Sequence, residues 1–303
     1  MNEGARLLAN GAARGGIELT VGRDVFRTEL TRDSNTGVVE VNAGRRVSPL
    51  KTGRWVALAF PPMRGVSVGE SSGPTPGGPP RPLVEDVLPI LLGQTDGRLS
   101  SLKQWIVNLD VQSRPGNGIS PAQAKANATL LNRFFDVLNA FLPGLNIKFA
   151  NVDRQTWKVS VVTHGATVTI DQVSQGTSSI LGWVGTLMQR MCEIHSGDPN
   201  FKQKAAVVLL DEIDAHLHPE WQQQIVATLS QEFPNVQFIA TTHSPLIVME
   251  LNREQVYRVY WSEDENPCRP SGRVAARARR LWHADQRCVQ LAQNSRSGDR
   301  KAA

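Results

Sequence analysis

The chain has 303 residues, of which 40% are hydrophobic and 20% are charged, and its formal net charge is +5. This length accommodates one large α/β domain or two small ones. No apolar run approaches the ~20 residues that span a bilayer, the N-terminal stretch lacks the apolar core of a secretory signal, and the three cysteines are widely spaced. These features predict a cytoplasmic protein with no membrane association and no disulfide framework.

The positive charge is concentrated at the C-terminal end of the chain. From Arg269 onward there are nine basic and two acidic residues, a net charge of +7, which leaves −2 for the rest. The high pI is therefore a property of this end and does not characterise the body of the protein. The Arg-rich end is interpreted as a basic disordered tail, which could bind nucleic acid, or as sequence read past a frameshift.

Short antiparallel strands are predicted near the N-terminus. Residues 17–21 alternate between apolar and polar side chains, and residues 25–31 and 38–41 follow after turn-forming stretches. Residues 55–60 are more uniformly apolar and predict a buried strand. Residues 61–82 are rich in Gly, Pro and Ser, which predicts a mobile loop with little regular structure.

Helical patterns follow this loop. Apolar residues at helical spacing predict helices over 84–92 and 99–109. Ser120 followed by Pro121 is typical of a capped helix start, and the helix that begins here is expected to end near Phe141.

An alternation of strands and helices fills the last third of the chain. A hairpin with its turn at His164-Gly165 is predicted first, and the elements after it read helix, strand, helix, strand, helix, strand. This order is typical of a parallel α/β sheet. The predicted ranges are 157–163 and 166–170 for the hairpin, 178–193, 219–233 and 246–251 for helices, and 205–210, 236–242 and 256–260 for strands.

Two carboxylates stand directly after the apolar run 205–210. Asp211 and Glu212 follow a strand at the edge where open α/β sheets bind ligands. This is a Walker B arrangement, in which the Asp holds Mg²⁺ and the Glu orients or deprotonates an attacking water. The alternative interpretation is a strand that ends in a solvated acidic turn.

Two further segments carry candidate chemistry. Ser174-Gln175-Gly176 precedes a helix, so a hydroxyl, backbone N–H groups and the helix dipole could form an anion site; the alternative is a Ser N-cap with a Gly for the turn. His243 follows the strand after Walker B, where it could hydrogen-bond a phosphate, although a lone histidine is more often structural. His216 and His218 have no third ligand nearby, which disfavours zinc.

These segments together resemble a known family. The segments VSQG, LLDEIDAHLHPEWQ and FIATTHSPLIV are similar to motifs of ATP-binding-cassette-type ATPase heads of the SMC, RecF and OLD-like AAA group. The resemblance is to the carboxy-terminal half of these heads and covers residues 157–260. The resemblance implies a P-loop NTPase-like, mostly parallel sheet with an antiparallel β subdomain and a helical insertion. It assigns Ser174, Gln175 and Gly176 to a signature motif facing ATP in the opposite subunit, Asp211 to Mg²⁺, Glu212 to catalysis, Asp214 to the D-loop and His243 to the γ-phosphate.

A phosphate-gripping loop, G-x-x-x-x-G-K-[ST], is absent from the sequence. In the resembled family this loop lies upstream of the antiparallel strands, so the chain is expected to be an amino-terminally shortened member. Without the loop's N–H groups and lysine, most of the triphosphate's binding energy is missing. We therefore expect the isolated chain to bind ATP weakly and to hydrolyse it at a background rate.

The expected function is ATP binding and hydrolysis in a homodimer, or in a heterodimer with an ATPase that contains the P-loop. The alternatives are a non-catalytic dimerisation partner, or a DNA repair or phage-defence component that binds nucleic acid or a nuclease effector. The predicted regions are 1–60 (antiparallel β), 61–82 (flexible loop), 83–150 (helical subdomain), 151–262 (ATPase core) and 263–303 (basic tail).

Overall fold

The chain forms two compact units in a computed structural model. The first contains the residues up to Trp55 together with Trp261–Cys268, and the second contains Val56–Tyr260 together with the residues from Arg269 onward. The structure describes residues 13–21, 24–34, 39–43, 56–65, 71–79, 84–93, 95–116, 118–195, 198, 200–252, 255–261, 267–271 and 289–292.

The first unit contains the antiparallel strands that the sequence predicts. They are β1 (Arg14–Val21), β2 (Asp24–Arg32) and β3 (Val39–Ala43), in the spatial order β1-β2-β3. Both neighbouring pairs are antiparallel, with Ile17 opposite Thr28 in the first pair.

The strands that follow are more numerous than predicted, because residues 148–152, 267–271 and 289–292 also form strands. They are β4 (Val56–Phe60), β5 (Lys148–Val152), β6 (Val159–Thr163), β7 (Ala166–Thr169), β8 (Ala206–Leu210), β9 (Val236–Thr242), β10 (Val256–Trp261), β11 (Pro267–Ser271) and β12 (Val289–Ala292).

The helices closely follow the predicted ranges. They are α1 (Leu88–Leu92), α2 (Leu99–Gln112), α3 (Pro121–Phe141), α4 (Gln175–Ile180), α5 (Thr186–Ile194), α6 (Pro219–Glu232) and α7 (Pro245–Met249). A π-helical turn, Leu181–Gly185, joins α4 to α5, so that the helix predicted over 178–193 begins earlier and changes its winding midway.

The parallel α/β sheet predicted for the second unit is confirmed for three strands, of which β8 is the middle one, and the sheet as a whole is mixed. Strand β8 pairs in parallel with β4 on one side and with β9 on the other, so Val208 lies between Leu58 and Phe238. On the far side of β9, strand β12 pairs antiparallel with both β9 and β10. The carboxyl ends of β4, β8 and β9 therefore meet at one edge of the sheet.

Strand β4 corrects one prediction. The sequence groups residues 55–60 with the antiparallel region, whereas Val56–Phe60 pairs in parallel with β8. Val56, Leu58 and Phe60 are fully buried. A strand with such a continuous apolar run is typical of a parallel sheet that is covered on its faces.

A separate antiparallel sheet contains β5, β6 and β7 in that order. The hairpin between β6 and β7 is confirmed, and its turn residues His164 and Gly165 both have positive φ, at 48° and 77°. Two positive φ values are the requirement of a tight type I′ hairpin turn.

Aromatic side chains connect the helices to the parallel sheet. Trp183, which is fully buried, contacts Phe60 of β4 at 6.5 Å and Phe141 of α3 at 6.1 Å between ring centroids. Phe141 in turn stacks on Phe233 at 6.3 Å. Because one core joins these elements, the regions predicted as a loop, a helical subdomain and an ATPase core lie within one compact unit.

The predicted Pro/Gly loop contains neither helix nor strand among its described residues. Its first part is nonetheless packed, since Pro61 and Arg64 are buried. Farther along, the Ser72 and Thr75 N–H groups donate to side chains of α2, at 2.9 and 3.0 Å. Residues 66–70 and 80–82 lie outside the described part of the chain.

Much of the predicted basic tail lies outside the described residues, and its disorder stays a prediction there. Two segments differ from that expectation, because residues 267–271 and 289–292 form β11 and β12. Within the described ranges, no helix has both the length and the apolar character needed to cross a bilayer.

The start of α3 allows a stability test. Ser120 accepts a hydrogen bond from the Gln123 N–H, and the Gln123 side chain accepts one from the Ser120 N–H, which completes a capping box. Ser120→Ala removes the cap, so we expect the free energy of unfolding to fall by about 1 kcal/mol. Urea denaturation measures this change. Ser120→Asp, which preserves an acceptor, should remain close to the wild type, and equal losses in both variants would contradict the capping role.

Candidate functional site

The acidic turn after β8 is fixed between the two neighbouring strands. The Asp211 N–H donates to the Phe60 carbonyl of β4 at 2.9 Å, and the Thr241 hydroxyl of β9 donates to Asp211 Oδ1 at 2.5 Å. The second carboxylate oxygen of Asp211 accepts no hydrogen bond from the described residues. Asp211 therefore presents one oxygen at the carboxyl edge of the sheet.

Glu212 has an unusual backbone conformation. Its φ is +48°, in the left-handed region that non-glycine residues seldom occupy. The Glu212 N–H donates to Thr241 Oγ1 at 2.8 Å, and its carbonyl accepts from Arg64 at 2.8 Å and from the Ala215 N–H at 2.8 Å. These three bonds hold the strained turn in place, and they leave the half-buried carboxylate itself without a partner among the described residues.

The Arg64 side chain donates hydrogen bonds to the backbone of this turn. This side chain is buried, with 4% of the residue exposed, and its guanidinium forms a fork of donors to backbone carbonyls. The acceptors are Asp211 O (2.7 Å), Glu212 O (2.8 Å), Ile213 O (3.2 Å) and Pro61 O (3.1 Å), and Nε donates to Ser179 Oγ (3.2 Å).

The electrostatic setting of Arg64 combines burial with nearby acids. Burial lowers the pKa of the guanidinium to about 10, and the charges of Asp214, Asp211 and Glu212 oppose this shift. Arg64 is therefore charged at neutral pH, and it places a fixed positive charge beneath the acidic turn. The sequence did not single out Arg64, because it stands within a Pro- and Gly-rich stretch that was interpreted as a mobile loop.

Asp214 links the acidic turn to the end of β9. Its Oδ1 accepts hydrogen bonds from the Thr242 hydroxyl and, at 3.3 Å, from the His243 N–H. The Ile213 N–H also donates to the Thr241 carbonyl at 2.9 Å. These contacts hold the exposed His243 at the same edge of the sheet as Asp211 and Glu212, as the strand order of the sequence suggests.

The predicted signature segment is the start of α4. Ser174 Oγ accepts from the Thr177 N–H at 3.2 Å, so the Ser N-cap that the sequence allows as an alternative is present. Ser174 and Gln175 are exposed, whereas Gly176 is buried. A Cβ on Gly176 would lie 2.7 Å from the carbonyl oxygen of His216. The predicted signature segment therefore packs against the turn at His216 of its own chain, and only a glycine fits there without displacement.

His218, at the end of the predicted D-loop, has a local role. His218 Nδ1 accepts from the Glu220 N–H at 3.4 Å and so caps α6. Among the described residues, no group of three or more His, Cys, Asp or Glu side chains is placed to hold a metal ion. The free oxygen of Asp211 suits Mg²⁺, which is commonly held by one or two carboxylates together with water and phosphate oxygens.

The contribution of Arg64 can be measured by substitution. Arg64→Ala leaves several buried carbonyls without donors, so we expect the free energy of unfolding to fall by about 3 kcal/mol or more. Arg64→Lys keeps a charge without the fork of donors and should be intermediate. Guanidinium chloride denaturation provides the measurement.

Arg154 offers a matched control for this experiment. Its side chain is 37% exposed and pairs with Asp110 at 2.7 Å. Because Arg154 is partly exposed and Arg114 also pairs with Asp110, at 3.4 Å, Arg154→Ala should cost less than about 1 kcal/mol. Equal losses for Arg64→Ala and Arg154→Ala would show that the buried fork does not stabilise the turn.

Comparisons with known proteins identify relatives of this chain. The retron Ec83 probable ATPase of Escherichia coli is 32% identical over 133 residues, which are 43% of this chain and 24% of the relative. The Septu protein PtuA of Bacillus thuringiensis is 28% identical over 148 residues, or 48% of this chain and 36% of the relative. The chain thus spans about a quarter to a third of the length of these curated relatives.

Among solved structures, the Smc head bound to the C-winged helix domain of ScpA is similar to 86% of this chain and 74% of that chain, with 13% identity and a TM-score of 0.44. Residues 98–250, half of the chain, match the family described as "AAA domain, putative AbiEii toxin, Type IV TA system". Since the match extends from α2 to the end of α7 and includes the acidic turn, we conclude that this chain belongs to that family of AAA domains.

Proposed function

We propose that this chain provides the metal-binding and water-activating part of an ATPase site. The observation that carries the proposal is the turn after β8, where Asp211 and Glu212 are fixed by Arg64 and Thr241 next to His243. Probable ATPases occur among the relatives of the chain, as the retron Ec83 protein illustrates. An oxygen ligand, a carboxylate without a partner and a histidine at one sheet edge together suit ATP and Mg²⁺.

Each residue has a distinct proposed role. The free oxygen of Asp211 would hold Mg²⁺, which supplies charge neutralisation of the phosphates when it is bound. Glu212 would orient the attacking water and accept its proton, and His243 would hydrogen-bond the γ-phosphate. The half-buried carboxylate of Glu212 is suited to this task. Hydrogen bonds fix the Glu212 backbone, and no described residue donates a hydrogen bond to the carboxylate itself.

A second polypeptide would supply the phosphate-binding loop of this site. The sequence contains no G-x-x-x-x-G-K-[ST], and the described residues of the acidic edge form no equivalent cradle of N–H donors for a triphosphate. We propose a heterodimer with a P-loop-containing ATPase polypeptide as the active form. In this form, Ser174, Gln175 and Gly176 would face a nucleotide held by the partner.

The role of Glu212 has a direct test in the complex with the partner. Glu212→Gln removes the proton acceptor, so ATP hydrolysis by the co-expressed pair should fall by about 10²–10⁴-fold. ATP-dependent association of the two polypeptides, followed by size-exclusion chromatography, should persist or increase. Glu220→Gln alters an exposed acid of α6 and should have wild-type turnover.

Turnover by the Glu212→Gln pair at the wild-type rate would contradict the catalytic role. It would favour the alternative in which this chain is a non-catalytic dimerisation partner and the P-loop polypeptide supplies its own catalytic residues. The chain without a partner should hydrolyse ATP only at background rate in either case.

The signature role of Ser174 can be separated from its capping role. Aspartate is also a good N-cap, so Ser174→Asp should preserve the stability of α4, yet its charge would repel a facing phosphate. We therefore expect at least about tenfold weaker ATP-dependent association with the partner, at an unchanged urea midpoint. A variant that associates and turns over normally would show that Ser174 serves only as a cap.

A further inference from the structure

A run of three glutamines begins one turn after the start of α6. Gln223 and Gln224 are exposed, whereas Gln222 is half-buried and its side chain contacts two other segments. Its Nε2 donates to the Leu217 carbonyl at 2.9 Å, and its Oε1 accepts from the Ser244 hydroxyl at 2.5 Å. A flipped amide would place its oxygen against the Leu217 carbonyl oxygen, so these partners determine the orientation of the amide.

The two bonds of this amide complete a closed circuit of hydrogen bonds around the loop that carries His243. On one side, the Leu217 N–H donates to the Asp214 carbonyl at 3.0 Å. On the other side, the Ser244 N–H donates to Thr242 Oγ1 at 3.0 Å, and the Thr242 hydroxyl donates to Asp214 Oδ1. The circuit therefore leads from the Asp214 carbonyl through the amide and back to the Asp214 carboxylate. In the chain, His243 lies between two members of this circuit.

Gln222 ties this circuit to a packed helix. The same helix, α6, buries Ile225 and Leu229 in the core, whereas the other members of the circuit belong to a turn and to the end of β9. The buried Ser244 is the N-cap residue of α7, but its side chain forms no capping hydrogen bond and donates to Gln222 instead. The Ser244 hydroxyl thus serves to attach the loop to α6.

We propose that Gln222 is a positioning residue for His243. Asp214 and Thr242 hold the loop on the side of β9, and Gln222 holds it through Ser244 on the side of α7. With both neighbours of His243 fixed, its backbone has one orientation from which the imidazole would reach a γ-phosphate. This proposal rests on the proposed function, in which His243 contacts that phosphate, and a misplaced contact group lowers the rate of reaction.

The mobility of His243 in the full chain, without nucleotide or partner, tests the placement. Gln222→Met has a side chain of similar length without the amide. We expect the NMR order parameter of the His243 N–H to fall from about 0.85 to below about 0.6, while that of Val208 in β8 stays near 0.85. The matched control is Gln223→Met, which changes the exposed neighbour and should behave like the wild type. Wild-type order at His243 in Gln222→Met would overturn the proposal.

Ser244→Ala removes the other partner of the 2.5 Å bond. If both residues act through this bond, Ser244→Ala should loosen His243 as Gln222→Met does, and the double variant should be no more mobile than either single variant. Losses of order that add in the double variant would contradict a shared path and overturn the assignment.

Turnover by the co-expressed pair separates this role from the proposed function. Because Gln222 is placed to position a group and not to bind ATP, Gln222→Met should lower kcat about tenfold and leave KM within about twofold of the wild type. His243→Ala should lose at least as much turnover, and Gln223→Met should lose none.

A loss of turnover in His243→Ala but not in Gln222→Met would overturn the positioning role and leave the proposed function intact. Wild-type turnover in both variants would instead contradict the proposed role of His243. The order parameters would then still decide whether Gln222 holds residues 242–244.

Discussion

The hydrogen bonds from the Arg64 guanidinium to the carbonyls of residues 211–213 are the constraint on which the site depends. A turn that contains a non-glycine residue at positive φ is unfavourable by itself. One buried cation, donating to three successive carbonyls, compensates for that cost and sets the direction in which the Glu212 carboxylate leaves the backbone. The same cation lies close to the three acids of the turn and to Asp96, so the turn can concentrate negative charge at one sheet edge without large repulsion.

The second link in the site is the pair of threonines at the end of β9. The Thr241 hydroxyl joins Asp211 and the Glu212 N–H, and the Thr242 hydroxyl joins Asp214. These hydrogen bonds fix the acidic turn relative to the end of β9, and therefore relative to the loop that carries His243. The geometry at the sheet edge therefore depends on both β8 and β9. Each strand holds in position the functional residues that follow the other.

The second unit contains two polar centres of different character. At the sheet edge, the buried arginine stabilises backbone carbonyls and leaves carboxylates available for a cation. In the cavity of about 350 Å³ between α2 and α5, Arg190 instead donates to both carboxylate oxygens of Asp86 and to Glu193. The first centre therefore leaves carboxylate oxygens available, whereas the charges of the second are paired within the protein.

Local sequence patterns determined much of this protein. The N-cap at Ser120, the strand that ends at Thr242, the hairpin turn at His164 and the acids after β8 are all readable from spacing, because each depends on neighbours within a few residues. Tertiary structure alone decided the parallel pairing of β4 with β8 and the cavity lined by Gln189. It also decided the role of Arg64, whose acceptors lie about 150 residues away along the chain. Such contacts leave no periodic signal, since they arise only when distant segments are brought together by a shared core.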